Sequence, residues 1–107
     1  MRLIRYEPSE AQALPGGVNA FFVPVRTGNE NRMTGMMLIL DRKGDTGKRE
    51  VPADALMTVV SGTGSVRSGG SVAELRPGDV VLLPGGISHQ IWTSEGPFQA
   101  VLVTLSG

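Results

Sequence analysis

The chain reads as an all-β domain, a sandwich or barrel, on three observations. Fifteen glycines and seven prolines in 107 residues punctuate short apolar runs instead of forming a low-complexity tract. Those runs recur every eight to twelve residues with glycine turns between them, the spacing of sandwiches and barrels. No segment keeps a helical period over ten residues. The length fits one domain, residues 1–107, and a chain of this size buries roughly two-thirds of its unfolded surface.

The elements follow in order. Leu3 to Tyr6 reads as an edge strand. In "PSEAQALPGG", Pro8 to Gly17, Ser9 sits in an N-cap-like position, but Pro15 and two glycines stop any helix within two turns. "AFFVPV", Ala20 to Val25, is a strand that Pro24 confines to an edge or an end. "TGNENRMTG", Thr27 to Gly35, is a polar loop, and "MMLILD", Met36 to Asp41, is an apolar strand. Arg42 to Asp54 carries charges of both signs and reads as a solvated loop. "ALMTVVSG", Ala55 to Gly62, is β-branched and apolar. Gly64 to Leu75 folds back as a hairpin around Gly69-Gly70, and Arg76 to Asp79 makes a tight type II turn on Pro77 and Gly78. Val80 to Pro84, Ile87 to Thr93 and Phe98 to Leu105 complete the strands.

Composition excludes several functions. Without cysteine there is no disulfide, thiolate metal site or cysteine nucleophile. Ten basic residues balance ten acidic ones, which leaves no footprint for nucleic acid or an anionic membrane. Apolar runs such as Met36 to Leu40 fall far short of the roughly 18 residues of a membrane span. Arg5 and Glu7 break up the start, so no secretory leader is expected and the cytoplasm is the default location. The stretch "KGDTGK", Lys43 to Lys48, lacks the spacing of a phosphate loop, and Ser61, Ser65 and Ser88 lack a nucleophile-elbow context.

The chemistry centres on "RPGDVVLLPGGISHQIWT", which holds the only histidine, His89. Gly78 permits the reversal into a strand, Pro84 ends that strand, and Gly85-Gly86 allow a corner. Alternation then puts Ile87, His89 and Ile91 on one face. Gly78, Pro84, Gly86 and His89 stand at the spacings of the second motif of the cupin superfamily (glycine, five residues, proline, one, glycine, two, histidine, three, asparagine), with Thr93 in the asparagine position. Leu56 to Val66 resembles the strand and turn that end the first motif.

The resemblance spans about residues 36–105, with 1–35 supplying N-terminal strands and a loop. It implies a small double-stranded β-helix, the cupin jelly-roll barrel, with an open mouth, a central pocket and a homodimeric assembly. Cupin metal sites take two histidines and a glutamate from the first motif and a histidine from the second. Counting back from Gly62, the glutamate position falls on Ala55, and the histidine positions on Arg49 and Val51 or, with the longer spacing, on Lys48 and Glu50. Only His89 of the set remains, so no cofactor is expected; the sole candidates to share a divalent ion with it are the oxygens of Glu50 and Asp54.

Ala55, Met57 and Val59 share the parity of the glutamate position and should face inward with His89 and Ile91. Met36 and Leu38 extend that wall; parity alone leaves Met37 and Ile39 as the other choice. These residues form either an apolar pocket for a small organic ligand, with His89 as its polar contact, or a closed core. The alternatives are a metal-independent isomerase or epimerase with His89 as base, a cupin metalloenzyme, and a structural or regulatory dimer module. The epimerases that the resemblance brings in pair a histidine with an acid and a tyrosine, and the only tyrosine here is Tyr6. A structural His89 would instead be hydrogen-bonded inside the barrel or to Thr93. Trp92, of opposite parity, should lie on the outside of the barrel or in a dimer interface.

Overall fold

Alternation of buried and exposed side chains along short strands builds two antiparallel sheets. The computed structural model describes residues 1, 3–26 and 32–106. The strands are β1 (Gln12–Leu14), β2 (Val18–Arg26), β3 (Arg32–Leu40), β4 (Asp54–Ser61), β5 (Gly64–Ser68), β6 (Ser71–Leu75), β7 (Val80–Leu83), β8 (His89–Trp92) and β9 (Phe98–Ser106). The larger sheet has the order β1-β2-β3-β9-β4-β7 and the smaller the order β6-β5-β8. This is the all-β arrangement expected from the turn spacing, and the jelly roll that the resemblance implies.

The core lies between the sheets. From the larger come Leu40, Met57, Val59, Leu83, Phe98 and Ala100, and from the smaller Val66, Leu75 and Ile91. β4 shows the logic most simply. Ala55, Met57 and Val59 are buried while Leu56 and Val60 are about half exposed. Alternation at period two is what a sheet with one face on the core demands. On β3 the inward set is Met36, Leu38 and Leu40, which decides between the two parities.

Turn chemistry sets the corners. Gly69 (φ 57°) closes the β5–β6 hairpin, in which Ser68 faces Ser71. Gly78 (φ 92°) takes the third position of the Arg76–Asp79 turn, where Asp79 N donates to Arg76 O at 3.1 Å. The Asp79 carboxylate accepts from Arg76 N at 2.9 Å and closes the same turn from its side chain.

Several expectations are corrected. Leu3 to Tyr6 forms no strand; Tyr6 instead lies edge-on to Phe21, ring centroids 5.5 Å apart. The helical turn is a single 3-10 turn at Pro8–Glu10, with Glu7 and not Ser9 in the capping position. β1 follows it, too short to carry a readable period. Arg32 to Gly35 belong to β3, and the rest of that loop, residues 27–31, lies outside the described residues. Ile87 precedes β8 and is exposed, so it does not share the inward face of His89.

The charged segment after β3 is more than a solvated loop. Thr46 N donates to Ile91 O (2.9 Å), Arg49 N to His89 O (2.8 Å), His89 N to Arg49 O (2.8 Å), and Thr93 N to Gly44 O (3.0 Å). Residues 44–49 therefore run antiparallel to β8 and cover its outer edge. Among the described residues, no helix is long and apolar enough to cross a membrane.

Candidate functional site

His89 is the first residue of β8, and the backbone on both sides of it is fixed. Before it, Gly86 (φ 76°) turns the corner and donates to Val51 O at 2.8 Å, while Gly85 N donates to the Asp54 carboxylate at 2.7 Å. A side chain on Gly85 would run into the Pro52 carbonyl, so the corner is packed directly on the preceding loop. His89 then pairs with Ser68 of β5 on one side and with Arg49 on the other.

The imidazole points into a cavity of about 250 Å³ between the sheets. Leu14, Val18, Ala20 and Phe22 line it from β1 and β2, and Met36, Leu38, Ala55 and Leu102 from the middle of the larger sheet. Ile91 and His89 close it from β8; Thr46, Arg49 and Val51 close it from the loop. Two threonines, Thr34 and Thr104, are register partners on β3 and β9 and add a small polar strip.

Two groups dominate the electrostatics. His89 is only 9% exposed, and neither ring nitrogen has a hydrogen-bond partner among the described residues. Burial, and secondarily the positive charge of Arg49, hold its pKa below the ordinary 6.5, so the ring is neutral at neutral pH. Arg49 is exposed at the cavity rim, with its Nε donating to Thr46 O at 3.2 Å. Thr93 does not reach the histidine: its hydroxyl donates to Thr63 O at 2.7 Å and accepts from Gly96 N at 3.2 Å. A structural His89 satisfied by Thr93 is thereby corrected.

A model of the cupin domain matches residues 37–105. The chain belongs to the cupin family. The fold has close structural relatives at low identity. A cupin 2 conserved barrel domain protein from Salinispora arenicola superposes with a TM-score of 0.79 at 20% identity, over 97% of this chain and 87% of the other. KdgF from Halomonas sp. gives 0.75 at 20% identity, over 89% and 85%. Bacillus subtilis oxalate decarboxylase, a protein with Mn(II) centres, gives 0.80 at 19% identity, over 95% of this chain but 29% of its own. No curated protein matches the chain in sequence.

In this cupin the positions for metal ligands can be tested by chemistry. Arg49, Val51, Ala55 and His89 all line the cavity, which selects the shorter of the two motif spacings. The set offers one imidazole, two alkyl side chains and a cation. A divalent ion wants several N, O or S donors, and a guanidinium at the rim repels it. The remaining candidates do not help. Glu50 and Asp54 are exposed and outside the lining, and the Asp54 carboxylate is engaged by Gly85 N. Among the described residues no group of three or more metal-ligating side chains comes together. The donor set does not fit a divalent metal.

Of the pocket residues expected from sequence, His89, Ile91, Ala55, Met36 and Leu38 line the cavity, while Met57 and Val59 sit in the packed core and do not reach it. Tyr6 packs on the outer face of the larger sheet, remote from His89, and no carboxylate among the described residues is hydrogen-bonded to the imidazole. Among the described residues the histidine–acid–tyrosine arrangement of an epimerase is not formed. Trp92 is half-buried outside the core, with the Arg67 guanidinium 5.8 Å over its ring. Sequence reasoning missed the cavity wall from β1 and β2 and the role of Arg49 beside His89. The alternation of Val18, Ala20 and Phe22 was the available signal for the first; for the second there was only the motif spacing.

Proposed function

We propose that this cupin is a metal-independent binding protein whose barrel takes up one small organic molecule, with His89 as the main polar contact. One observation carries the reading: a buried imidazole, with both nitrogens unpartnered among the described residues, faces an apolar cavity. Buried polar atoms without partners cost about 1–3 kcal/mol each, and a structural histidine would be expected to satisfy at least one. A ligand supplies the missing partner. Enzymes of the epimerase type need an acid–base set that His89 does not find among the described residues, so no reaction is assigned.

The partner protein we propose is a second copy of the chain. Leu56 and Val60 on β4 and Val80 and Leu82 on the edge strand β7 are between 47% and 62% exposed on the outer face of the larger sheet. An exposed apolar edge of this kind is usually covered.

Titration with a neutral apolar probe such as benzyl alcohol tests the binding reading. Saturable binding is expected, and Ala55→Leu, which fills the cavity from β4, should abolish it. Binding unaffected by Ala55→Leu places the probe elsewhere and contradicts the reading. Metal analysis of the purified protein is the complementary check: stoichiometric zinc, iron, nickel or manganese that disappears in His89→Ala would restore a metalloenzyme.

A further inference from the structure

We infer that the ligand of this cavity is a small organic acid, an apolar body carrying a single carboxylate held by the Arg49 guanidinium and the His89 ring. The inference rests on the binding reading above and adds the chemical class. Three observations carry it.

The first is size and lining. About 250 Å³ corresponds to roughly eight water volumes at ~30 Å³ each, room for an organic molecule of about ten non-hydrogen atoms. Apart from threonines, the only polar groups among its lining residues are Arg49 and His89. The strong polar donors thus stand together on the β8 side of the chamber, and the far side offers only the hydroxyls of Thr34 and Thr104.

The second is the fixed pairing of those two residues. Their main chains exchange hydrogen bonds at 2.8 Å in both directions. The Arg49 side chain is tethered by Nε to Thr46 O, which leaves its terminal amino groups without a hydrogen bond among the described residues. No acidic side chain among those residues forms an ion pair with it. A guanidinium presents a planar fork of donors that matches a carboxylate.

The third is His89, more than nine-tenths buried and unpartnered at both nitrogens among the described residues. A neutral imidazole has one N–H to donate, and a carboxylate oxygen is a suitable acceptor for it. Charge then decides among anions. One guanidinium and one neutral ring balance a single negative charge; a phosphate monoester would bring nearly two into an apolar chamber and leave the excess uncompensated. A cationic ligand would meet Arg49 with like charge.

Calorimetric titration of the full chain with phenylacetate and 4-methylpentanoate, each against its neutral amide, tests the proposal. At least one acid should bind at least about tenfold more tightly than its amide. Arg49→Gln should remove that difference by weakening the acid alone; the exposed side chain can change without touching the main-chain bonds that join the loop to β8. Acid and amide binding equally, or an acid preference that survives Arg49→Gln, would overturn the acid class while leaving a working cavity. No binding of any acid, amide or benzyl alcohol would remove the binding reading and the acid class together.

Discussion

His89 combines a stability cost with a binding role, and the two can be separated by substitution. Both ring nitrogens are buried and, among the described residues, unpartnered, so His89→Leu, which fills similar space without polar atoms, should stabilise the fold by about 1 kcal/mol. Thermal melts of the two proteins check this. The gain should also depend on pH. The folded-state pKa of His89 lies below the ordinary 6.5 because of burial and the nearby Arg49 charge. As pH falls below about 6.5 the unfolded chain takes up a proton that the folded chain resists, so wild type loses stability. Above 6.5 the ring is neutral in both states and the effect vanishes. The stability gap between His89→Leu and wild type should therefore widen from pH 7.5 to 5.5; a constant gap would show that the ring titrates normally. The placement of His89 was readable from the Gly78–His89 spacing. That its nitrogens are orphaned was not, because this depends on what Thr93 and the loop residues do in space. Thr93 turned out to serve Thr63 and Gly96.

At the scale of elements, the site exists because residues 44–49 lie against β8. Thr46 contributes twice: its N–H donates to Ile91 O at 2.9 Å, and its hydroxyl accepts from Ile91 N at 3.0 Å. Read from sequence, this stretch is simply charged and glycine-containing, and nothing local in it announces a partner more than forty residues away. Local signals did better where the constraint is local. Gly69-Gly70 and Pro77-Gly78 marked their turns, and alternation along Ala55–Val59 marked the inward face of β4. They failed at the start of the chain, where apolar Leu3 to Tyr6 suggested a strand but Tyr6 packs on Phe21 instead. One glycine is decisive for joining elements. Gly62 follows β4 at φ 78°, and a Cβ there would collide with the Pro97 carbonyl and approach Phe98 Cα at 3.0 Å. Gly62→Ala combines left-handed strain with a backbone clash and should cost more than about 2 kcal/mol. Denaturant unfolding measures it, and a loss under about 0.5 kcal/mol would show that this corner relaxes freely.

For the whole molecule, the larger sheet is apolar on both faces around β4 and β7. Its inner face makes the core, and its outer face leaves Leu56, Val60, Val80 and Leu82 substantially exposed. An antiparallel sheet exposed on one side normally alternates apolar with polar, so the proposed homodimer accounts for a pattern that a monomer does not. Stable interfaces bury about 800 Å² per partner, which these side chains would centre. Light scattering should find a dimer for wild type and a monomer for Leu82→Lys. A monomeric wild type at tens of micromolar contradicts the assembly but leaves the cavity untouched, since a single chain is enough to form it. The family resemblance carried the fold because glycine and proline spacing encodes corners. It could not carry the function, because the cavity keeps the position of His89 while Arg49, Val51 and Ala55 stand where metal ligands were expected.

The central claim is that this lone imidazole meets an organic acid inside the barrel. Since His89 is the only histidine, nuclear magnetic resonance reads its ring without ambiguity. Titration with phenylacetate, or with 4-methylpentanoate if that acid is the tighter binder by calorimetry, should move the imidazole signals saturably in wild type and, in Arg49→Gln, only at about tenfold or more higher concentration. A ligand that saturates the protein while the ring signals stay fixed would contradict the account.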